Sequence, residues 1–320
     1  MIDLVLVFAG LALLMGAGDA LVRGAVALSL RLGVPALLIG LTVIAFGTSA
    51  PELLVSIEAA LAGAPGIALG NVVGSNIANV LLVLGAPALI STVDGRDCKG
   101  GRSYWQMIAA SVLFIALCLI GPLGWAHGAA LLALLGYVLF DGYRAARAAR
   151  AGDGCDPLLE ELEELEDVDP SMAGWKIAAL LAVGLIGLPV GAHLLIDGAR
   201  ALAREAGVSE AAIGLTLVAA GTSLPELATT VAAALRRQAD VAIGNVVGSN
   251  IFNLAAIMGI ASFFGPLDVP GQMLRVDLWI MLGCAAALAP FVLGPFRMTR
   301  PVGAALLAAY VAYAWLVLKV

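Results

Sequence analysis

The sequence predicts an all-α integral membrane protein: ten transmembrane helices in two inverted five-helix repeats. Three observations carry this. Of 320 residues, 62% are hydrophobic and only 12% charged, with a mean hydropathy of +1.02. Soluble domains carry about 25% charged residues, so the apolar excess must face lipid. Ten apolar runs approach the roughly 20 residues needed to cross a bilayer core, which leaves no room for a large soluble domain. Finally, GNVVGSNI occurs at residues 70–77 and again at 244–251.

Taken in order, the first run covers residues 2–22 and has Asp3 where a cleaved leader would carry Lys or Arg. It is therefore expected to be a permanent span. Runs at 35–59 and 64–90 hold the first motif copy, and runs at 104–120 and 123–140 complete a first repeat, residues 1–143. Residues 144–172 form a polar connection in which Asp153 to Asp169 contributes nine carboxylates and no Lys or Arg. The formal charge of -6 thus belongs to one loop, and no basic face for nucleic acid exists. EELEELED lacks the ligand spacing of an EF-hand and reads as a solvated connection. Runs at 176–196, 211–235, 241–264, 276–293 and 302–318 then build the second repeat, residues 173–320.

With the first end outside, thirteen of the 17 Lys and Arg residues fall on the cytoplasmic side, and Arg200, Arg204, Arg275 and Lys319 on the other. This bias places both termini outside and the acidic loop in the cytoplasm, in the cell (inner) membrane. Cys98, Cys118, Cys155 and Cys284 are scattered without a CxxC pair, far from His127 and His193. Neither a disulfide framework nor a zinc site is indicated.

The repeat extends beyond one motif. GTSAPEL from Gly47 matches GTSLPEL from Gly221, Gly40-Leu41-Thr42 matches Gly214-Leu215-Thr216, and Gly33-Val34 matches Gly207-Val208, all at one offset. Because five spans is an odd number, the second copy must be upside down relative to the first. Such inverted repeats place a substrate site at the membrane midplane, where the halves meet.

Glu52 and Glu226 lie in the middle of spans two and seven. A carboxylate there costs at least about 2.5 to 3.5 kcal/mol unless a cation or proton compensates it. Pro51 and Pro225 precede them and cannot donate the helical hydrogen bond, which frees backbone oxygen nearby. Thr48, Glu52 and Ser56 share one helix face, as do Thr222, Glu226 and Thr230. On the following spans Asn71, Ser75 and Asn79 recur at the same spacing, as do Asn245, Ser249 and Asn253, beside glycines that let helices approach closely. An all-oxygen cage with two carboxylates suits calcium and also hard monovalent cations. For Asn71, Asn76, Asn245 and Asn250, tying helices together is a competing role.

GTSAPELLVS with GNVVGSNIANVLLVLG, repeated as GTSLPELATT with GNVVGSNIFNLAAIMG, resembles the two alpha-repeats of the sodium/calcium exchanger family of the cation/calcium exchanger superfamily, in its prokaryotic form. The resemblance implies a secondary antiporter exchanging calcium for sodium, with Glu52 and Glu226 as shared ligands and Asn79 and Asn253 lining the centre. It further implies flanking sodium sites made by Thr48, Ser49, Ser75, Thr222, Ser223, Ser249 and the carbonyls of Ala45 and Ala219. Spans one and six would be the moving gate. Inorganic cations and lipid are the implied partners, with no cofactor, no catalysis and no obligatory protein partner. Where Asn253 stands many members have aspartate, and the short acidic loop has no calcium-sensing domain.

Three alternatives stay open at this level. A proton or another cation could replace sodium on the same fold. A cation channel also uses oxygen cages, though usually around an axial pore. Gly16-Ala17-Gly18-Asp19 matches the GxGD string of intramembrane aspartyl proteases, which need a second acid such as Asp141 to share a proton. Asp19, Asp141, Asp197 and His193 otherwise read as structural or snorkelling groups.

Overall fold

The structure, a computed structural model, describes residues 2–32, 43–61, 63, 65–92, 101–151, 172–205, 219–236 and 239–319. The acidic segment 153–169, Cys98, Cys155 and the matched residues 33–34, 40–42, 207–208 and 214–216 lie outside the described residues. Every named element is a helix, and the protein is a membrane-spanning helical bundle.

Helix α1 (Ile2–Leu32) has Asp3 in its first turn and Arg31 in its last, the charges that favour each end of a helix dipole. It runs well past the expected end at residue 22. Arg23 does not stop it, because the guanidinium lies 3.9 Å from Asp19 one turn earlier on the same helix. Two short helices follow, α2 (Ala45–Thr48) and α3 (Ala50–Leu61). A long span then combines α4 (Pro65–Ala78), a π-helical turn at Asn79–Val83 and α5 (Gly85–Ile90). Helices α6 (Gly101–Ile120) and α7 (Trp125–Ala151) come next.

After the loop, α8 (Gly174–Glu205) mirrors α1, and α9 (Ala219–Thr222) with α10 (Leu224–Leu235) mirrors α2 and α3. Helix α11 (Ala239–Ile251), a π-helical turn at Phe252–Ile257 and α12 (Met258–Ala261) mirror the long span through α4 and α5. A further span contains α13 (Leu278–Ala287) and α14 (Ala289–Val292), and α15 (Arg300–Lys319) ends the chain. Eight helices among the described residues are long and apolar enough to cross a membrane. Expected spans two and seven begin outside the described residues, and the described part of each is broken into two helices.

The buried apolar residues fall into two clusters. One core cluster joins α4, α6, α11 and α13 through Val72, Leu84, Phe114, Ile251 and Leu278. The Val241–Ala261 span is 94% buried, whereas Arg300–Val317 is 6% buried and lies at the outside of the bundle, so the motif helices form the centre. The second cluster joins α1 and α8 through Leu14, Leu21, Ile177 and Leu188, with Ile44 and Ala233 from the broken helices.

Glycines set the fit of α1 against α8. A Cβ at Gly184 would lie 2.4 Å from Leu21 Cβ, one at Gly187 2.7 Å from Ala17 Cβ, and one at Gly198 2.6 Å from the Asp3 carbonyl. Small residues thus bring the two backbones together. The same contacts set their direction: the start of α1 meets the end of α8, so these repeat-related helices run antiparallel. Elsewhere, Leu123 and Leu267 exchange backbone hydrogen bonds of 3.0 and 2.9 Å, joining the loop before α7 to the loop before residue 273.

Candidate cation-binding site

The helix breaks fall at Ser49 and Ser223, with φ, ψ of −85°, 7° and −87°, 5°. Both sit in the sparsely populated bridge region where functional residues recur. The helix resumes at once, since Leu53 N–H donates to the Ser49 carbonyl and Leu227 N–H to that of Ser223, each at 3.1 Å. The Ser223 side chain makes no hydrogen bond that caps α10. Ser49 Oγ donates to Glu226 Oε1 at 2.9 Å, and Ser223 Oγ to Glu52 Oε1 at 3.5 Å. Each repeat therefore reaches the carboxylate of the other.

Glu52 and Glu226 are each 1% exposed. The first π-helical turn packs against α10, which carries Glu226, and the second packs against α3, which carries Glu52. Single π-helical turns inside α-helices are common at functional sites. They open these two helices at Asn79 and around Asn253. Asn79 Nδ2 donates to Asn250 Oδ1 at 3.0 Å and Asn253 Nδ2 to Asn76 Oδ1 at 2.9 Å, so each lining amide is held by the other repeat.

Among the described residues, six buried side-chain oxygens at repeat-related positions lack a hydrogen-bond partner: Glu52 Oε2, Glu226 Oε2, Ser75 Oγ, Ser249 Oγ, Asn79 Oδ1 and Asn253 Oδ1. They form three repeat-related pairs, and all six residues belong to the expected site. A seventh, Asn245 Oδ1, has no repeat-related companion in the set. Each unmet buried polar atom costs about 1 to 3 kcal/mol, and a cation would meet the carboxylate and amide oxygens among them.

The remaining expected residues surround this centre. Thr48 is fully buried, and its hydroxyl lies 3.1 Å from the Ile44 carbonyl and 3.4 Å from that of Ala45. The Ala45 carbonyl also accepts from Ser49 N–H at 3.1 Å, so a cation would share this oxygen with the helix. Thr222 is buried, with its hydroxyl 3.4 Å from Asn71 Oδ1. Ala219 begins α9, and its side chain lies outside the described residues. Asn71 donates to the Glu52 carbonyl at 3.2 Å and to Ser56 Oγ at 3.1 Å. Asn245 likewise reaches the Glu226 carbonyl at 3.3 Å and the Thr229 and Thr230 hydroxyls at 2.9 and 3.0 Å. These two asparagines pin the carboxylate helices to their neighbours.

Asp19 and Asp141, outside the centre, have local cations. Asp19 is paired with Arg236 at the end of α10, and Asp141 with Arg102, while Gln106 donates to Asp141 at 2.7 Å. His193 Nε2 lies 3.3 Å from Asp197, an exposed pair within α8. Two features are not legible in the residue types alone: the π-helical turns, and the thioethers of Met107 and Met281 beside Asn250 and Asn76. Their repeat-related positions are the one signal that pairs them.

Comparison with known proteins fits this architecture. The family profile described as "Sodium/calcium exchanger protein" matches residues 2–141 and 176–319. The putative antiporter CaxA of Alkalimonas amylolytica is 35% identical over 315 residues, 98% of this chain and 97% of that protein. Inner membrane protein YrbG of Escherichia coli is 36% identical over 278 residues, 87% of this chain and 84% of its own. A solved structure of the sodium-calcium exchanger NCX_Mj, soaked with sodium and calcium, superposes with a TM-score of 0.79 at 31% identity, covering 98% of this chain and 97% of that one. Two broken helices carrying reciprocal carboxylates, inside a bundle matched along nearly its whole length, lead to one assignment: the chain belongs to the sodium/calcium exchanger protein family.

Proposed function

We propose that this protein is a secondary antiporter that exchanges calcium for sodium by alternating access. The observation that carries it is the set of six buried, partnerless oxygens related in pairs by the repeat. Two carboxylates balance one divalent ion, and the surrounding oxygens match the hard, oxygen-only ligation calcium and sodium prefer. Glu52 and Glu226 are the shared ligands, with Asn79 and Asn253 at the centre. Thr48, Ser49, Ser75, Thr222, Ser223, Ser249 and the carbonyls of Ala45 and Ala219 serve flanking sodium sites. The sodium and calcium soaked into the NCX_Mj crystals support the same ion pair here.

Coupling follows from competition. An ion-free site leaves two buried charges uncompensated and resists being closed off on either side, whereas a site filled by calcium or by sodium is neutralised and can change sides. The α1/α8 pair, which packs along its length through close-fitting glycines, slides over the core to expose the site to each face in turn.

The proposed architecture is ten spans in two inverted repeats, residues 1–143 and 173–320, with 144–172 as a cytoplasmic connection and both termini outside. The antiparallel run of α1 against α8 supports inversion. The bridge between Leu123 and Leu267 supports the span count: both loops must share a face, which requires an even number of crossings between them and so a crossing by the broken seventh span. YrbG's description as an inner membrane protein supports that location. A protease would need Asp19 and Asp141 to share a proton, and each is already engaged by an arginine.

The test is calcium uptake into proteoliposomes driven in turn by an outward sodium gradient and an outward proton gradient. Sodium-driven uptake that saturates, without single-channel conductance, is expected. Uptake driven by protons alone would replace sodium in the proposal, and unitary conductance would replace exchange with a channel.

A further inference from the structure

We infer that Asn76 and Asn250 are positioning residues that fix which atom of the two central amides faces the ions. The inference rests on the ion site proposed above and adds two residues to it. An asparagine amide can present either its oxygen or its NH2 group, and only the oxygen can bind a cation. Something must therefore choose the orientation of Asn79 and Asn253.

The choice follows from atoms that can only accept. Asn76 Nδ2 faces the Asn250 main-chain carbonyl at 3.3 Å and the Met281 thioether at 3.8 Å, and neither can donate a hydrogen bond. The NH2 group of Asn76 must point there, which turns its Oδ1 to Asn253. Asn253 can meet that oxygen only with its own NH2, at 2.9 Å, and its Oδ1 is left free and buried. In the other repeat, Asn250 Nδ2 faces the Met107 thioether at 3.6 Å, which turns its Oδ1 toward Asn79 Nδ2 at 3.0 Å and leaves Asn79 Oδ1 free and buried.

The arrangement is reciprocal. Asn76 and Asn250, Asn79 and Asn253, and Met107 and Met281 are all partners under the repeat offset of 174 residues, and each hydrogen bond crosses from one repeat to the other. All four asparagines are buried to 2% exposure or less, so water does not compete for these groups. Without the acceptor on Asn250, Asn79 would be free to turn its NH2 toward the ions, which repels a cation.

Double-mutant cycles on calcium affinity, measured by isothermal titration of the purified full chain, test this. Asn250→Ala is expected to weaken calcium binding about 10- to 100-fold, the usual cost of removing a group that orients a metal ligand. In an Asn79→Ala background the same change is expected to add no more than about twofold, the limit of ordinary non-additivity. Asn76→Ala should behave alike with Asn253→Ala, while the crossed combinations should add in full. A merely structural role would cost as much in both backgrounds, and that result would overturn the inference.

Asn250→Asp guards against a misfolded alanine variant. Its side chain still accepts from Asn79 and is expected to keep calcium affinity at or above wild type. A loss as large as that of Asn250→Ala would overturn the inference. Glu226→Gln separates the two levels. If it abolishes calcium binding while Asn79→Ala has no effect, the ion site stands and the amide mechanism fails. If neither changes affinity, the ion site itself fails.

Discussion

Replacing Glu226 with glutamine should move activity and ion-free stability in opposite directions. Glu226 is 1% exposed, Ser49 holds one of its oxygens at 2.9 Å, and the other has no partner. The amide keeps the shape and removes one of two charges, so a bound divalent ion becomes half compensated. Breaking a buried charge pair on one side costs about 3 to 5 kcal/mol, or roughly 150- to 5,000-fold in calcium affinity. Without ions, however, the same change removes a carboxylate whose burial costs at least about 2.5 kcal/mol. At about 2 °C per kcal/mol, the ion-free variant should melt roughly 5 °C higher than ion-free wild type. Glu52→Gln should gain more, because the Ser223 contact that solvates Glu52 is longer, at 3.5 Å. The assays are thermal unfolding in sodium-free chelator buffer and calcium uptake by sodium-loaded proteoliposomes. Calcium affinity within a few-fold of wild type, or a lower ion-free melting temperature in both variants, would refute the reasoning.

Asn253→Asp adds a third ionisable group to the centre, so exchange should become pH-dependent and the net charge moved per cycle should change; profiles identical to wild type would remove Asn253, and by symmetry Asn79, from the site. Asp19→Asn breaks the link from α1 to Arg236, a part-exposed pair worth about 1 kcal/mol or less, so exchange should survive with a rate change of at most about fivefold. Abolished activity there, with Glu52→Gln still active, would favour the protease chemistry. Cys98 and Cys155, which sequence alone places in the cytoplasm, should resist impermeant thiol reagents in right-side-out vesicles; strong labelling of either would overturn the proposed topology.

Much of the proposed site is written in residue types. Glu52 and Glu226 stand out because a carboxylate in an apolar run is costly, and the duplicated Ser and Asn stripes mark the wall they face. All six partnerless oxygens in repeat-related pairs come from residues named on those grounds. What the chain hides is geometry across the repeat axis. Nothing local to GTSAPEL announces that Ser49 will reach Glu226, because that bond exists only once the second repeat is inverted against the first. The π-helical turns at Asn79–Val83 and Phe252–Ile257 are equally silent, since one extra residue in a turn changes hydrogen bonding and leaves hydropathy untouched. Helix ends were also obscured. Arg23 looks like the end of a span until Asp19 is seen beside it, and α8 continues through Pro189 to Glu205.

In the proposed mechanism calcium and sodium compete for the same two carboxylates. Equilibrium binding of radioactive calcium to the purified protein, titrated with sodium at fixed pH and ionic strength, tests it most directly. Sodium should displace calcium completely, raising the apparent calcium Kd without limit as its concentration rises, and Glu52→Gln and Glu226→Gln should each remove both the binding and the competition. A calcium Kd that levels off at saturating sodium would mean that both ions are held at once, and would contradict a shared site.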